Sequence, residues 1–343
     1  MKTFGRYLLY RLENSALRTA IFTVISLILT LNTISESIDN SNVEYNTSGI
    51  YILATVLGII CTLIPILENK CFKNRRNLDT LYFFPIKREK MAIAHFLSGF
   101  IQILFIYSVT FFAALAYLAA NTDYFALGYM LPYYFISVLL GLVMYSFFTF
   151  IFTQANTVAD GVVLCVLWMF ALAVVAAAFR LAVIGAFVED LEKIPNLSGW
   201  GIVYAPINNL TVIFQDLIEI NRTRFIDPFY ISYAERYTSQ SYMFFVWGAI
   251  GIASVLGYVL TFMKKGAEKA GEISDSILGY KLLIPLYGYS TLMMFEQVDF
   301  MVSLIFIAML IGYIVYRRSV KLRSRDLIFV GCGLFAMIFG AMF

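Results

Sequence analysis

Nine runs of mainly apolar residues recur along this chain, at 19–33, 49–67, 92–120, 128–153, 161–188, 241–263, 277–295, 298–316 and 327–343. A helix needs ~20 such residues to cross ~30 Å of hydrocarbon, and in lipid the backbone must satisfy its own hydrogen bonds. The expected fold is therefore an all-α polytopic membrane protein. Composition agrees: 61% of residues are hydrophobic and 14% charged, against about 45–50% and about 25% in globular domains. There is no polar surface here to clothe a soluble core. The 32 Phe and 23 Tyr suit lipid-facing and interfacial positions.

Charge position orders the runs. With the N-terminus inside, segments 1–18, 68–90, 264–281 and 317–326 hold 20 of the 25 Lys and Arg, as cytoplasmic loops should. The outer loops 34–48, 121–127 and 296–299 hold none, but carry Glu36, Asp39, Glu44, Asp123, Glu296 and Asp299. Run 277–295 is interrupted by Lys281, Pro285 and Gly288; were it not to cross, the basic stretch Arg317–Arg325 would face outward. Nine spans are expected on that ground. Before the first, charge interrupts 1–18 too often for a cleavable signal peptide. Phe4, Leu8, Leu12 and Ala16 recur every four residues, which predicts a short amphipathic helix in the interface. The outer loop 189–240 contains the apolar stretch Gly199–Ile220, punctuated by Pro206 and Asn208-Asn209, and is expected to form short helices at the outer leaflet.

Catalytic chemistry is sparse. The one histidine, His95, rules out HExxH and reads as a packed, hydrogen-bonded helix residue. There is no GxxxxGK[ST] loop to cradle phosphates and no G-x-S-x-G elbow. Cys61, Cys71, Cys165 and Cys332 form no CxxC and read as small hydrophobes, so neither a metal nor an enzymatic role is expected. None of the 22 acids falls centrally in a run, whereas ion-coupled carriers bury carboxylates there. Asp160 reads as a helix N-cap. Arg180 is the one charge well inside an apolar run. That run, 161–188, is ~42 Å long at ~1.5 Å per residue, so Arg180 can snorkel to the outer interface; contact with substrate or a lipid headgroup is its functional alternative.

The stretch KNRRNLDTLYFFPIKREK, Lys73–Lys90, is the long charged island of the first half. Orientation alone would explain Lys73, Arg75, Arg76, Lys87 and Arg88. It does not explain Phe72, Leu78, Leu81 and Tyr82, which predict a short helix with one apolar face, or Pro85, which ends that helix and suits the start of the next.

The run Asn74–Leu97, NRRNLDTLYFFPIKREKMAIAHFL, resembles the loop between spans two and three of bacterial type 2 ATP-binding-cassette (ABC) exporter permeases. It departs from their Leu-Pro-Ile-Ser-Arg-like corner by Phe84 for Leu and Lys87 for Ser. KKGAEKAG, Lys264–Gly271, is similar to the segment after span six in a Gram-positive branch of that family. The resemblance implies an elbow helix at 1–18, a six-span core at 19–263 and a C-terminal extension at 264–343 with two or three further spans. It implies a coupling helix at about 71–84 that docks on a separate ATPase subunit. The docking role would fall to Asn77, Leu78, Asp79, Thr80 and Leu81, with Arg75 and Arg76 at the rim and Pro85 as the stiff corner. ATP and Mg would be bound by the partner ATPase, with no cofactor on this chain. The other implied partners are a second permease copy or paralogue and the lipid of a bacterial plasma membrane, with no nucleic acid. Small residues such as Gly248, Gly251 and Ala253 would allow close helix contact, between permeases or within the chain. Aromatic-rich spans suit a hydrophobic or amphiphilic cargo such as a peptide, drug or lipid. The alternatives are an ion-coupled carrier and a non-transport scaffold or sensor subunit.

Overall fold

The computed structural model describes residues 2–39, 51–74, 86–121, 127–179, 242–265, 270–272, 274, 276–294, 307–314, 316 and 331. Among these the secondary structure is helical, with no strand. The helices are α1 Lys2–Asp39, α2 Tyr51–Asn69, α3 Arg88–Asn121, α4 Leu127–Gln154, α5 Val158–Phe179, α6 Tyr242–Lys264 and α7 Leu282–Met294. Five of them, α1, α2, α3, α4 and α6, are long and apolar enough to cross a membrane. The chain is thus an all-α, membrane-embedded protein.

Two units divide the chain. The first comprises Met1–Thr153 and Tyr204–Glu268, the second Gln154–Val203 and Lys269–Phe343. In the first, α3 is the shared element: α1, α2 and α6 all pack on it. Its buried positions include His95, Ser98, Gln102 and Thr110, while Ile101, Leu104, Phe105 and Phe112 are exposed. This inverts the soluble pattern. With lipid outside, exposed apolar side chains cost nothing, and polar ones gain by finding partners between helices.

The same inversion shapes α1. Its buried residues include Tyr7, Ser15, Thr19, Thr23, Ser26, Thr30 and Ile34, a largely hydroxyl-bearing stripe at helical spacing. Several of these hydroxyls return to their own helix: Ser15 Oγ donates to the Leu12 carbonyl, Thr19 Oγ1 to Ser15 and Thr23 Oγ1 to Thr19. Small side chains with satisfied hydroxyls let backbones approach closely. The stripe Phe4, Leu8, Leu12 and Ala16 is at most partly covered by protein, so the apolar periodicity marks a different face from the buried one. Lys2–Asp39 is also one unbroken helix, with no break between an interfacial piece at 1–18 and a span from 19. Its ~57 Å length exceeds the ~30 Å of hydrocarbon.

Glycines mark where helices meet. A Cβ on Gly99 of α3 would run into the Tyr145 ring of α4 at 2.9 Å and Ile64 of α2 at 3.2 Å. Tyr145, fully buried, spans that gap to donate its hydroxyl to the Phe96 carbonyl at 3.0 Å. A Cβ on Gly251 of α6 would come within 2.9 Å of the Val143 side chain of α4, whereas one on Gly248 would meet nothing within 4 Å. The contact at Gly251 is therefore made within the chain, while Ala253 is exposed.

In the second unit a π-helical turn, Ile277–Lys281, leads into α7. Pro285 lacks the amide that would bond the Lys281 carbonyl, at the point where the α-pattern gives way to the wider turn. Trp168 Nε1 of α5 donates to the Leu278 carbonyl at 2.8 Å, and Tyr280 donates to Asp160 Oδ1 at 3.3 Å. The cap of α5 is Thr157, whose Oγ1 accepts from the Asp160 amide at 3.1 Å. Asp160 thus sits in the first turn, where its charge suits the helix dipole, rather than at the cap itself.

Gly99→Ala is expected to lower the stability of the detergent-solubilised protein by about 1–3 kcal/mol through overpacking, read as a fall in melting temperature. Gly248→Ala should be neutral or stabilising by up to ~1 kcal/mol, because only helix propensity changes there. Equal melting temperatures for the two variants would contradict the close approach at Gly99.

Candidate functional site

At the end of α2 a carboxylate is buried where a loop was expected. Glu68, counted by sequence with the cytoplasmic segment 68–90, lies in the last turn of α2 with no exposed surface. Such burial is tolerable only with charged or polar partners. Arg11 Nη2 of α1 donates to Glu68 Oε2 at 2.7 Å. Arg18 Nη2, two turns further on, donates to Oε1 and to Gln102 Oε1 of α3 at 2.7 Å. The Gln102 amide donates back to Glu68 Oε1 at 2.8 Å and to the Ser98 hydroxyl at 3.2 Å. Both carboxylate oxygens are engaged, and three helices meet on one side chain.

His95 extends the joint. Its Nδ1 lies 3.2 Å from the Glu68 carbonyl and its Nε2 lies 2.9 Å from Tyr7 Oη. A carbonyl only accepts, so Nδ1 carries a proton, and Nε2 pairs with the Tyr7 hydroxyl. The His95 imidazole is engaged at both nitrogens. Next to Glu68, the Asn69 side chain donates to the Pro65 carbonyl at 2.9 Å and accepts from Tyr258 Oη of α6 at 3.2 Å. Tyr258 also reaches the Ala92 carbonyl of α3 at 3.2 Å. Through residues 68 and 69, α2 is tied to α1, α3 and α6.

This joint stands at both ends of the basic island. On leaving α2 the chain makes a 3₁₀ turn, Lys70–Lys73. Phe72 packs edge-on against His95 at 4.5 Å and Phe262 of α6 at 4.7 Å. Lys73 is buried; its Nζ reaches the Thr153 carbonyl at 3.4 Å and lies 5.0 Å from the Phe152 ring centroid. Lys265 Nζ meets the same carbonyl at 2.7 Å. Two ammonium groups at the C-terminus of α4 complement the negative end of its dipole. Lys73 is thus a packed structural cation, not merely a topogenic one. At the far end Ile86 packs on the cluster of Tyr7, Met91 and Ala94, and the Met91 amide bonds the Lys87 carbonyl at 3.1 Å.

The coupling residues expected from sequence, Arg75, Arg76, Asn77, Leu78, Asp79, Thr80, Leu81 and Pro85, lie outside the described residues, as does Arg180. Of the second motif, Ala270 is buried, and Gly271 adopts φ +84° while its amide bonds the Asn156 carbonyl at 3.0 Å. A left-handed residue there favours glycine. Among the described residues no three His, Cys, Asp or Glu side chains gather as a metal site would require. Sequence reasoning read His95 as a packed, hydrogen-bonded helix residue, as the structure has it, but missed the joint because Arg11, Arg18 and Glu68 look like ordinary loop or interface charges. The available signal was a spacing of seven: Arg11 with Arg18, and His95 with Gln102.

Chemically, the joint has no free base and no nucleophile. Its carboxylate is saturated and its imidazole is held at both nitrogens, so it serves to hold helices in register. Comparison with known proteins finds no family model and no curated protein that matches the chain.

Glu68→Gln leaves two guanidiniums facing a neutral group and is expected to cost about 3–5 kcal/mol. Gln102→Leu, which removes one acceptor and one donor, should cost about 1–3 kcal/mol. Thermal melts in detergent would check that order; a Glu68→Gln protein melting with the wild type would show that the joint holds nothing.

Proposed function

We propose that the chain is the permease subunit of an ATP-driven exporter of the bacterial type 2 ABC layout. It sits in the plasma membrane with its N-terminus cytoplasmic and moves a hydrophobic or amphiphilic cargo outward. A separate ATPase binds ATP and Mg and docks on 75–85, where Leu78 and Leu81 supply the apolar contact and Arg75, Arg76 and Asp79 the register. A second permease copy or paralogue completes the pathway. The core is six spans, with two or three more after residue 264. The resemblance of Asn74–Leu97 points to this reading, and one structural observation supports it. The described chain stops after Phe72, which packs on His95, and Lys73, which is held on α4, and resumes at Ile86, which packs on the Tyr7 cluster. A push on a segment fixed at both ends reaches α1, α2, α3 and α6 without being lost in slack.

The buried Glu68 also favours a second reading, an ion-coupled carrier, since intramembrane carboxylates mark ion and proton pathways. Against it, both oxygens of Glu68 are already taken by Arg11, Arg18 and Gln102, leaving little capacity for a transported cation.

Co-expression with the ATPase encoded beside it tests the proposal. The two proteins should leave the membrane together in mild detergent and hydrolyse ATP in a vanadate-sensitive way. Leu78→Asp combined with Leu81→Asp should abolish the association while membrane insertion is kept. A chain that purifies alone, or a double variant that still binds the ATPase, would remove the coupling role and leave the carrier or scaffold.

A further inference from the structure

The joint is not electrically balanced. Among the described residues two guanidiniums face one carboxylate, a surplus of one positive charge. The Nε–H groups of Arg11 and Arg18 are buried and find no hydrogen-bond partner among the described residues, while the side chains as a whole keep some exposure, 19% and 25%. Glu13, the nearest acid along α1, sits on the far side of the helix, ~200° round from Arg11 at ~100° per residue.

Beyond the joint, α1 and α2 enclose an open groove of about 110 Å³. Phe22, Ile25 and Leu29 line it from α1, and Val56, Ile60 and Ile64 from α2. Ile25 and Leu29 are each about half exposed, at 47% and 48%. The two features share one stripe: at ~100° per residue, Arg11, Arg18, Phe22, Ile25 and Leu29 fall within ~60° of arc on α1. On α2 the groove residues Val56, Ile60 and Ile64 step by four towards Glu68. From Arg18 to Leu29 is ~16 Å along the helix, close to the ~15 Å depth of one leaflet's hydrocarbon.

We propose that this stripe is a binding site for an anionic phospholipid, with one acyl chain in the α1–α2 groove and the phosphate on Arg11 and Arg18. Guanidinium groups bind phosphate through paired, charge-assisted N–H donors, and basic pockets between membrane helices take lipid headgroups. The lipid supplies an anion and a single chain ~15 Å long in the order that the stripe presents them. A second copy of this chain would cover the groove but would still have to neutralise the surplus cation. The site lies in the leaflet on the side of the α1 N-terminus. It is independent of the ATPase proposal and would stand or fall alone.

The test is native mass spectrometry of the full chain purified in maltoside detergent, with dioleoyl phosphatidylglycerol and dioleoyl phosphatidylcholine added in equal amounts. The first retained lipid should be phosphatidylglycerol by about fivefold, the scale expected for one net basic charge at a headgroup. Ile25→Trp with Leu29→Trp, or Leu29→Trp alone, fills the groove from exposed positions and should remove that preference. Melting temperature and size-exclusion profile should stay unchanged. Equal retention of the two lipids by the wild type would overturn the proposal, as would a preference untouched by the tryptophans. So would displacement of the phosphatidylglycerol by millimolar inorganic phosphate, which would make the site a phosphate site rather than a lipid one. Disulfide formation between copies through Ile25→Cys in native membranes would assign the groove to a second copy and equally overturn it.

Discussion

A carboxylate withdrawn from water must be matched, and in this chain Glu68 sets the terms for everything around it. Its burial at the end of α2 requires Arg11 and Arg18 to lie on one face of α1 and Gln102 on the facing side of α3. Those requirements place α1 antiparallel to α2. They also set His95, Ser98 and Gln102 among the apolar residues of the buried face of α3. Hydrophobic association cannot select among helix pairings in lipid, because the outside is as apolar as the inside. A few directional contacts must do the selecting, and this joint supplies several of them in the first unit.

The overall class was legible from the apolar runs, and most of the long helices begin and end near them. Charge bias proposes an order for the loops but carries no information on burial. Lys73 and Glu68 both look like cytoplasmic loop charges, and both are buried against neighbouring helices. Periodicity at α1 marked Phe4, Leu8, Leu12 and Ala16 as a membrane face and gave no sign of the buried one. In lipid the buried stripe is the one rich in Ser and Thr, so an apolar-moment argument selects the side that faces the chains. No one-dimensional pattern pairs Glu68 with residues 57 and 50 positions before it, or His95 with Tyr7 88 positions before it. Only the seven-residue spacings hint at shared faces, and they do not identify the partner.

The joint also connects the two proposals made for this chain. Its inner edge receives both ends of the basic island, which is where a partner's force would enter. Its other edge presents, among the described residues, a guanidinium charge in excess of the carboxylate above an apolar groove, which is where lipid would be held. A rigid polar centre suits both, since it lets α1, α2 and α3 respond together rather than singly. The small-residue contacts at Gly99 and Gly251 act in the same direction by keeping α4 close against α2, α3 and α6.

The central claim is that Arg11 and Glu68 act as one unit across α1 and α2. A double-mutant cycle of Arg11→Gln, Glu68→Gln and the combined variant, read by unfolding free energy in detergent, measures it directly. A joint of this kind predicts coupling of about 1–3 kcal/mol, with the double variant more stable than the two single losses added together. Additivity within ~0.5 kcal/mol would contradict it and reduce the ion pair to a bystander between independently packed helices.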